Sequence, residues 1–352
     1  MGFTPLDYGI VSVYLAASLG LGLWGKKLIG NIADFLVAGR SLDLFLGVAT
    51  LAATEIGTVT FMYYAQLGYR TGFSVLLTGL ISGAAMLMIG LTGFVVHRFR
   101  TLELMTVPEY FQRRYSRNLR VLTGCLVAGG GLLNMGVFLR VEGTFLMILT
   151  GIPMRWLVLT MTAILLLEML YTVLGGMVSI VITDFLQYVL LSLGTIMVTI
   201  YCVWHVGWHS MARAVTVDIG AAGWDPLRNA AYGWNYVIFQ MLMWLAIFTC
   251  WQTTAMRTMS MRSPALAKKV FVWSSLIFFG RGMLPMLWGI AALAMLGPRH
   301  DSMTAMPVLL ARLLGPGVKG FVVAAMLAAT MSSNSSYLLG WSSVISQDVI
   351  SP

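Results

Sequence analysis

The chain has 352 residues, of which 59% are hydrophobic and only 10% charged, with a formal net charge of +9 and a mean hydropathy of +0.85. A soluble domain carries about 25% charged and 45–50% apolar residues, so a soluble fold is excluded, and with it disorder, collagen and coiled coil. What remains is an all-α polytopic membrane protein, because the long uncharged runs favour helices over a barrel.

A spanning helix needs about 20 mainly apolar residues. Nine stretches meet that rule: 6–24, 44–67, 73–96, 119–149, 156–174, 180–203, 232–255, 270–296 and 318–344. The first opens on Asp7 rather than a basic cluster, so it does not read as a cleavable signal. The longest connections, 98–118, 205–231 and 256–269, are too short for a soluble domain. Cys125, Cys202 and Cys250 each sit in an apolar run, with neither disulfide nor metal-ligand spacing.

Orientation follows from Lys and Arg. With the N-terminus outside, thirteen basic residues fall in inner loops (Arg257 among them), seven in outer loops, and Arg140 and Arg281 within spans. The positive net charge is therefore mostly topology, with some attraction to anionic inner-leaflet lipids. The basic residues are scattered over short loops without a stacking platform, so nucleic-acid binding is not indicated. Trp24, Trp156, Trp204 and Trp208 lie at span ends, where an indole suits the interface.

Ionisable groups inside spans are costly and mark function by default. They are Glu55, Arg140, Glu142, Glu168, Asp184 and Arg281. Arg140 and Glu142 fit a mutually neutralising buried network. Glu168 and Arg281 lie close enough to span ends to snorkel. Asp184 begins a span after the Gly175–Gly176 turn, where a helix-start acid is also favoured. Glu55 is harder to dismiss: in ATLAATEIGTVTF, Thr50, Thr54, Glu55, Gly57, Thr58 and Thr60 interrupt a span at its middle. Such a patch predicts a broken helix, whose freed carbonyls can ligate a hard cation and whose half-helix N-terminus can hold an anion. The alternative is a continuous helix whose threonines bond back to the preceding turn. The last span carries a second patch, Thr330, Ser332, Ser333, Asn334, Ser335 and Ser336, again at mid-depth. Hydroxyl and carbonyl oxygens without clustered carboxylates suit a weakly held monovalent cation. No nucleophile–base arrangement, GxSxG, Walker or HExxH pattern occurs, so the chain does not read as an enzyme.

Four motifs carry a resemblance. ADFLVAGRSL (33–42), TVPEYFQRRY (106–115), YTVLGGMVSIVITDFLQ (171–187) and AAMLAATMSSNSSYL (324–338) resemble the sodium/solute symporter family, in order and spacing from near residue 5 to the end. The resemblance implies a LeuT-type core of two five-helix inverted repeats preceded by one extra helix. Residues 6–24 would be the extra helix, 44–203 the first repeat and 232–344 an incomplete second repeat, which reads as a C-terminally truncated member. It implies a sodium site made by the carbonyls of Ala53, Ile56 and Ala329 and the hydroxyls of Ser332 and Ser333, with Asp184 as the sodium-linked aspartate. The implied solute residues are Glu55, Thr58 and Thr60 at the break, with Trp244 and Phe248 opposite. Val59, Trp244 and Ile247 stand where the sugar-transporting branch has other groups, so a hexose is not expected. A buried Glu55 could pair an ammonium, accept a hydroxyl or titrate. The expected function is sodium-coupled symport of a small organic solute across the plasma membrane, with Na+ as coupling ion, the lipid bilayer as surroundings and no obligate protein partner. Two other readings stand beside it: a transporter-like sensing domain of a signalling protein, and a nonfunctional truncated symporter.

Overall fold

The computed structural model describes residues 2–352. Among them the one strand-like pairing is an isolated bridge between Leu42 and Met261. The helices are, in chain order, α1 (Pro5–Gly25), α2 (Ile32–Val37), α3 (Leu44–Glu55), α4 (Thr58–Thr71), α5 (Leu76–Thr92), α6 (Val96–Thr101), α7 (Val107–Arg114), α8 (Arg117–Thr150), α9 (Leu157–Val206), α10 (Trp208–Ala214), α11 (Trp234–Cys250), α12 (Gln252–Ser260), α13 (Pro264–Leu296), α14 (Ala305–Leu313) and α15 (Val318–Val344). Among the described residues six helical stretches are long and apolar enough to cross a membrane, or seven if the bent pair α11–α12 is one span.

The helices thus do not delimit nine separate long spans, for two physical reasons. The expected break is real: α3 ends at Glu55, leaving a 12-residue helix too short to cross alone, while α4 runs through a tight turn into α5 as one 35-residue stretch. The runs 156–174 and 180–203 both fall on α9, which is 50 residues long and departs from helical geometry at Gly176. Its contacts with α1 show that it folds back there. Tyr8 and Leu15 share an apolar groove with Leu159 and Leu167, Tyr14 meets Gln187, Gly22 abuts Tyr171 and Gly25 abuts Ser179. Along α1, one limb of α9 is met in rising order and the other in falling order, so the limbs are antiparallel. Gly176 has φ +48°, and a β-carbon there would strike the Phe35 ring and carbonyl, so the reversal needs glycine.

α15 is the axis of the bundle: 94% of its most apolar stretch is buried, against 22% for α1. It packs on α9, α1, α8 and α3. α1 covers α9 and α15 from one side, and the exposed indoles of Trp24, Trp156, Trp204 and Trp208 sit at helix ends, as interfacial anchors do. The three cysteines are free, Cys202 buried and the others exposed.

α4 and α13 cross closely because small residues face each other. A β-carbon on Gly289 would overlap the Ala65 carbonyl oxygen and approach the Tyr69 nitrogen to 2.8 Å. Gly68 lies as tightly on the Met286 backbone. Small residues at such crossings let dispersion act over whole helix faces. Gly289→Leu should therefore force α4 and α13 apart, at a cost of about 1–3 kcal/mol or more. The expected result is a lower melting temperature in detergent and a smaller monodisperse fraction by size exclusion; a variant that matches the parent in both would show that the crossing is not tightly packed.

Candidate functional site

The broken helix forms the site's first wall. α3 ends with Ile56 at φ −114°, ψ 71°, and Gly57 continues in extended geometry before α4 begins at Thr58. Backbone bonding skips four carbonyls here, two of which are met by side chains. The Ile56 N–H bonds Ala52 O, and the first amides of α4 that find a partner, Thr60 and Phe61, bond Gly57 O. Thr54 O accepts from Ser333 Oγ at 2.9 Å, and Glu55 O accepts from Arg281 Nη1 at 3.0 Å. Ala53 O and Ile56 O are the pair left over. Of the threonines, Thr50 and Thr54 reach to α9 and α15 and Thr58 reaches to α15, while Thr60 alone bonds back, across the break to Glu55 O at 3.4 Å. The continuous-helix alternative is thereby excluded.

α15 supplies the second wall, and its polar run is buried throughout. Successive side chains fan out to different neighbours, as a 3.6-residue period dictates. Thr330 meets Thr58 at 3.1 Å. Ser332 Oγ donates to Asp184 Oδ1 at 2.5 Å, and Ser333 Oγ donates to Thr54 O. Gly57 lies so close that a β-carbon there would come within 2.7 Å of Ser333 Oγ and 3.9 Å of Ala329 O. The break and the Ala329–Ser333 turn are therefore in direct contact. Of the expected cation ligands, Ser333 and Ala329 lie against the break, while Ser332 Oγ turns to Asp184; Ser332 and Ser333 each donate one hydrogen elsewhere and keep oxygen lone pairs.

Asp184 is not a solvated helix-start acid. It lies within the second limb of α9, fully buried, and accepts from Ser332, from Thr50 Oγ1 at 2.5 Å and from Arg257 Nη2 at 3.3 Å. Arg257, expected in an inner loop, is also fully buried and donates to Ser336 Oγ as well. The cause is a 52° bend at Trp251 that turns α12 back into the bundle, with all nine of its residues buried.

The other intramembrane charges also move from their expected places. Arg140 is exposed while Glu142 is buried, so they do not neutralise each other. Residues two apart on a helix do not share a face. Glu142 and Glu168 instead meet through Asn334, whose Nδ2 donates to Glu142 Oε2 at 2.9 Å and Glu168 Oε1 at 3.3 Å. Neither Glu168 nor Arg281 snorkels; both are buried.

A cavity of about 310 Å³ opens beside the break, between it and the bend at Trp251. Of the expected solute residues, Glu55, Thr60 and Trp244 line it. Thr58 and Phe248 do not: Thr58 turns away to the Met326 carbonyl at 2.8 Å, and Phe248 is buried behind Trp244, stacked on it at 5.3 Å. Glu55 Oε1 accepts from Thr254 Oγ1 at 2.6 Å. Arg281, Tyr64, Asn134, Trp251 and Tyr337 are among the other lining residues and were not expected there. For Arg281 the signal existed, a charge within a span; the aromatic residues are indistinguishable in sequence from ordinary core. Ser333 and Thr54 belong both to the cavity wall and to the donor cluster.

A bundle with two discontinuous helices, a donor cluster at the first break and a cavity between the breaks has the layout of a secondary transporter. The family model for the sodium:solute symporter family matches residues 35–351, and the chain belongs to that family. That makes it a multi-pass membrane protein of the transporter class rather than an enzyme, with Na+ as the coupling ion of its family. A sodium/glucose cotransporter of Vibrio parahaemolyticus is 25% identical over 99% of this chain and 69% of its own length. A sodium/iodide cotransporter of Homo sapiens is 25% identical over 99% of this chain and 56% of its own. A sodium/sialic acid symporter of Aliivibrio fischeri is 23% identical over 99% of this chain and 70% of its own. The chain thus spans between about half and about seven tenths of these relatives. Among solved structures, a Na+-coupled sialic acid symporter in a substrate-bound outward-open state matches with a TM-score of 0.87 and 20% identity, over 99% of this chain and 75% of that one. The shared fold is that of a helical symporter.

Proposed function

We propose that this chain carries sodium-coupled symport of a small organic solute by alternating access, in the cell membrane with the N-terminus outside. Residues 6–24 form the extra helix, 44–203 one repeat and 232–344 the part of the second repeat present here. Sodium is held by the carbonyls of Ala53, Ile56 and Ala329 and the hydroxyls of Ser332 and Ser333. Asp184 sets the negative field behind them. Glu55, Thr60 and Trp244 contact the solute, with Thr58 and Phe248 acting from behind the wall. The observation that carries this reading is the contact of Gly57, at the break that frees two carbonyls, with Ser333 and Ala329.

Sodium in that contact ties α3 and α4 to α15 and so holds one arrangement of the bundle. Because Ser333 and Thr54 also face the cavity, solute and sodium stabilise the same arrangement, and each should tighten the other by an equal factor. The test is uptake by the intact protein in liposomes across a sodium gradient, with Glu55→Gln as the variant. Losing a charged hydrogen-bond acceptor costs about 1.5–3 kcal/mol, so solute affinity should fall on the order of 10- to 100-fold. Unchanged solute affinity with an unchanged pH profile would make Glu55 a structural group, and uptake independent of sodium would reject symport.

A further inference from the structure

Resting on the reading of the 310 Å³ cavity as the solute site, we infer that its solute is a zwitterion, an amino-acid-like molecule whose carboxylate binds Arg281 and whose ammonium binds Glu55. The cavity's polar groups fall into two chemically opposite sets. One set is of donors without acceptors: Arg281 and Trp244 line the cavity, and Arg281 Nε and Trp244 Nε1 are buried with no hydrogen-bond partner among the described residues. Such orphan donors cost roughly 1–3 kcal/mol each unless an acceptor arrives. The Arg281 guanidinium is already fixed for such an acceptor. Nη1 is tied to Glu55 O, and the plane is held at 4.0 Å from the Phe278 ring centroid and 4.7 Å from that of Trp244. Tyr64 is held close by, its ring against Gly282, the next residue on α13. A planar, pre-oriented guanidinium with a free edge matches a carboxylate.

The other set is of acceptors. Glu55 Oε1 has Thr254 as its donor, and Asn134, which lines the same cavity, has its Oδ1 buried without one. A carboxylate and an orphan amide oxygen match an ammonium. Trp251, Phe138 and Tyr337 form the rest of the wall, so an apolar side chain suits the remaining volume. A neutral sugar, by contrast, would leave the guanidinium without an ionic partner.

The test compares matched ligands on the purified intact protein in sodium, by thermal shift and competition. L-Leucine and L-phenylalanine are each set against their amides, which lack the carboxylate, and their deaminated acids, which lack the ammonium. Zwitterions should bind at least tenfold more tightly than either partial analogue. Arg281→Gln should weaken the zwitterion at least tenfold yet change amide binding by less than threefold, and Arg281→Lys should recover part of the loss. Equal affinity for amide and parent, or a Gln variant that weakens both alike, overturns the assignment of Arg281. If glucose or another neutral polyol binds in sodium and the zwitterions do not, the solute class is wrong and symport stands. If sodium neither stabilises the protein nor supports binding of any of these ligands, the underlying reading fails instead. Should Arg281→Gln not fold, the amide and acid comparison on the parent protein decides alone.

Discussion

Replacing Ser332 and Ser333 together with alanine should abolish sodium-dependent uptake while leaving the protein in the membrane. The double variant removes two of five proposed oxygen ligands. At about 1.5–3 kcal/mol for each charge-assisted contact, sodium affinity should fall on the order of 10²- to 10⁴-fold. The hydroxyls also have structural partners, since Ser332 holds Asp184 and Ser333 holds the Thr54 carbonyl. A control is therefore needed on the same buried turn. Ser335 is equally buried, but its hydroxyl bonds the Ser332 carbonyl on its own helix at 3.1 Å. Ser335→Ala should change the sodium dependence of uptake less than about threefold. If the double variant retains its sodium dependence, or if Ser335→Ala loses it equally, the cation does not bind at this contact.

How much of this was legible in the sequence depends on whether a residue's partners lie on the element the eye is reading. The break at Ile56–Gly57 was legible because polar residues at mid-span have few physical explanations. The hydroxyl run of α15 was legible for the same reason, and the two patches do meet. Arg257 was not. It lies beyond an apolar run in sequence, where a basic residue reads as a loop charge, and no glycine or proline marks the bend at Trp251 that carries it inward. Glu142 was misread because its neighbour in sequence, Arg140, points away; its true partner Asn334 is 192 residues distant. The resemblance placed Thr58 and Phe248 at the cavity, each beside a residue that does line it. Helical direction decides otherwise, as a shift of one residue rotates a side chain by about 100°. The reversal of α9 at Gly176 falls on the Gly175–Gly176 turn that separates the apolar runs 156–174 and 180–203 in the sequence; what hydropathy could not show is that helical bonding continues through it over 50 residues.

The buried pair Asp184–Arg257 leads to the second large effect, in which two single substitutions move sodium affinity in opposite directions. Both side chains are fully buried and 3.3 Å apart, and removing one member of such a pair typically costs about 3–5 kcal/mol, because the other charge is left uncompensated. Arg257→Met leaves the carboxylate with only the Thr50 and Ser332 hydroxyls. A lone negative charge then sits one side chain behind the proposed cation site and attracts sodium more strongly. The variant should melt well below the parent without sodium and recover much of the difference as sodium is added, since a ligand that binds only the folded state stabilises it by mass action. Asp184→Asn does the reverse. It leaves a guanidinium near the site, so it should be destabilised, bind sodium more weakly than the parent and gain little from added salt. Joining the two changes removes both charges and should restore stability beyond either single variant, because the penalty belongs to the unpaired charge and not to the pair. Melting curves across a sodium series, with choline replacing sodium at constant ionic strength, separate these outcomes. If both single variants shift sodium affinity in the same direction, Asp184 acts on the site through packing, and the electrostatic role assigned to it is wrong.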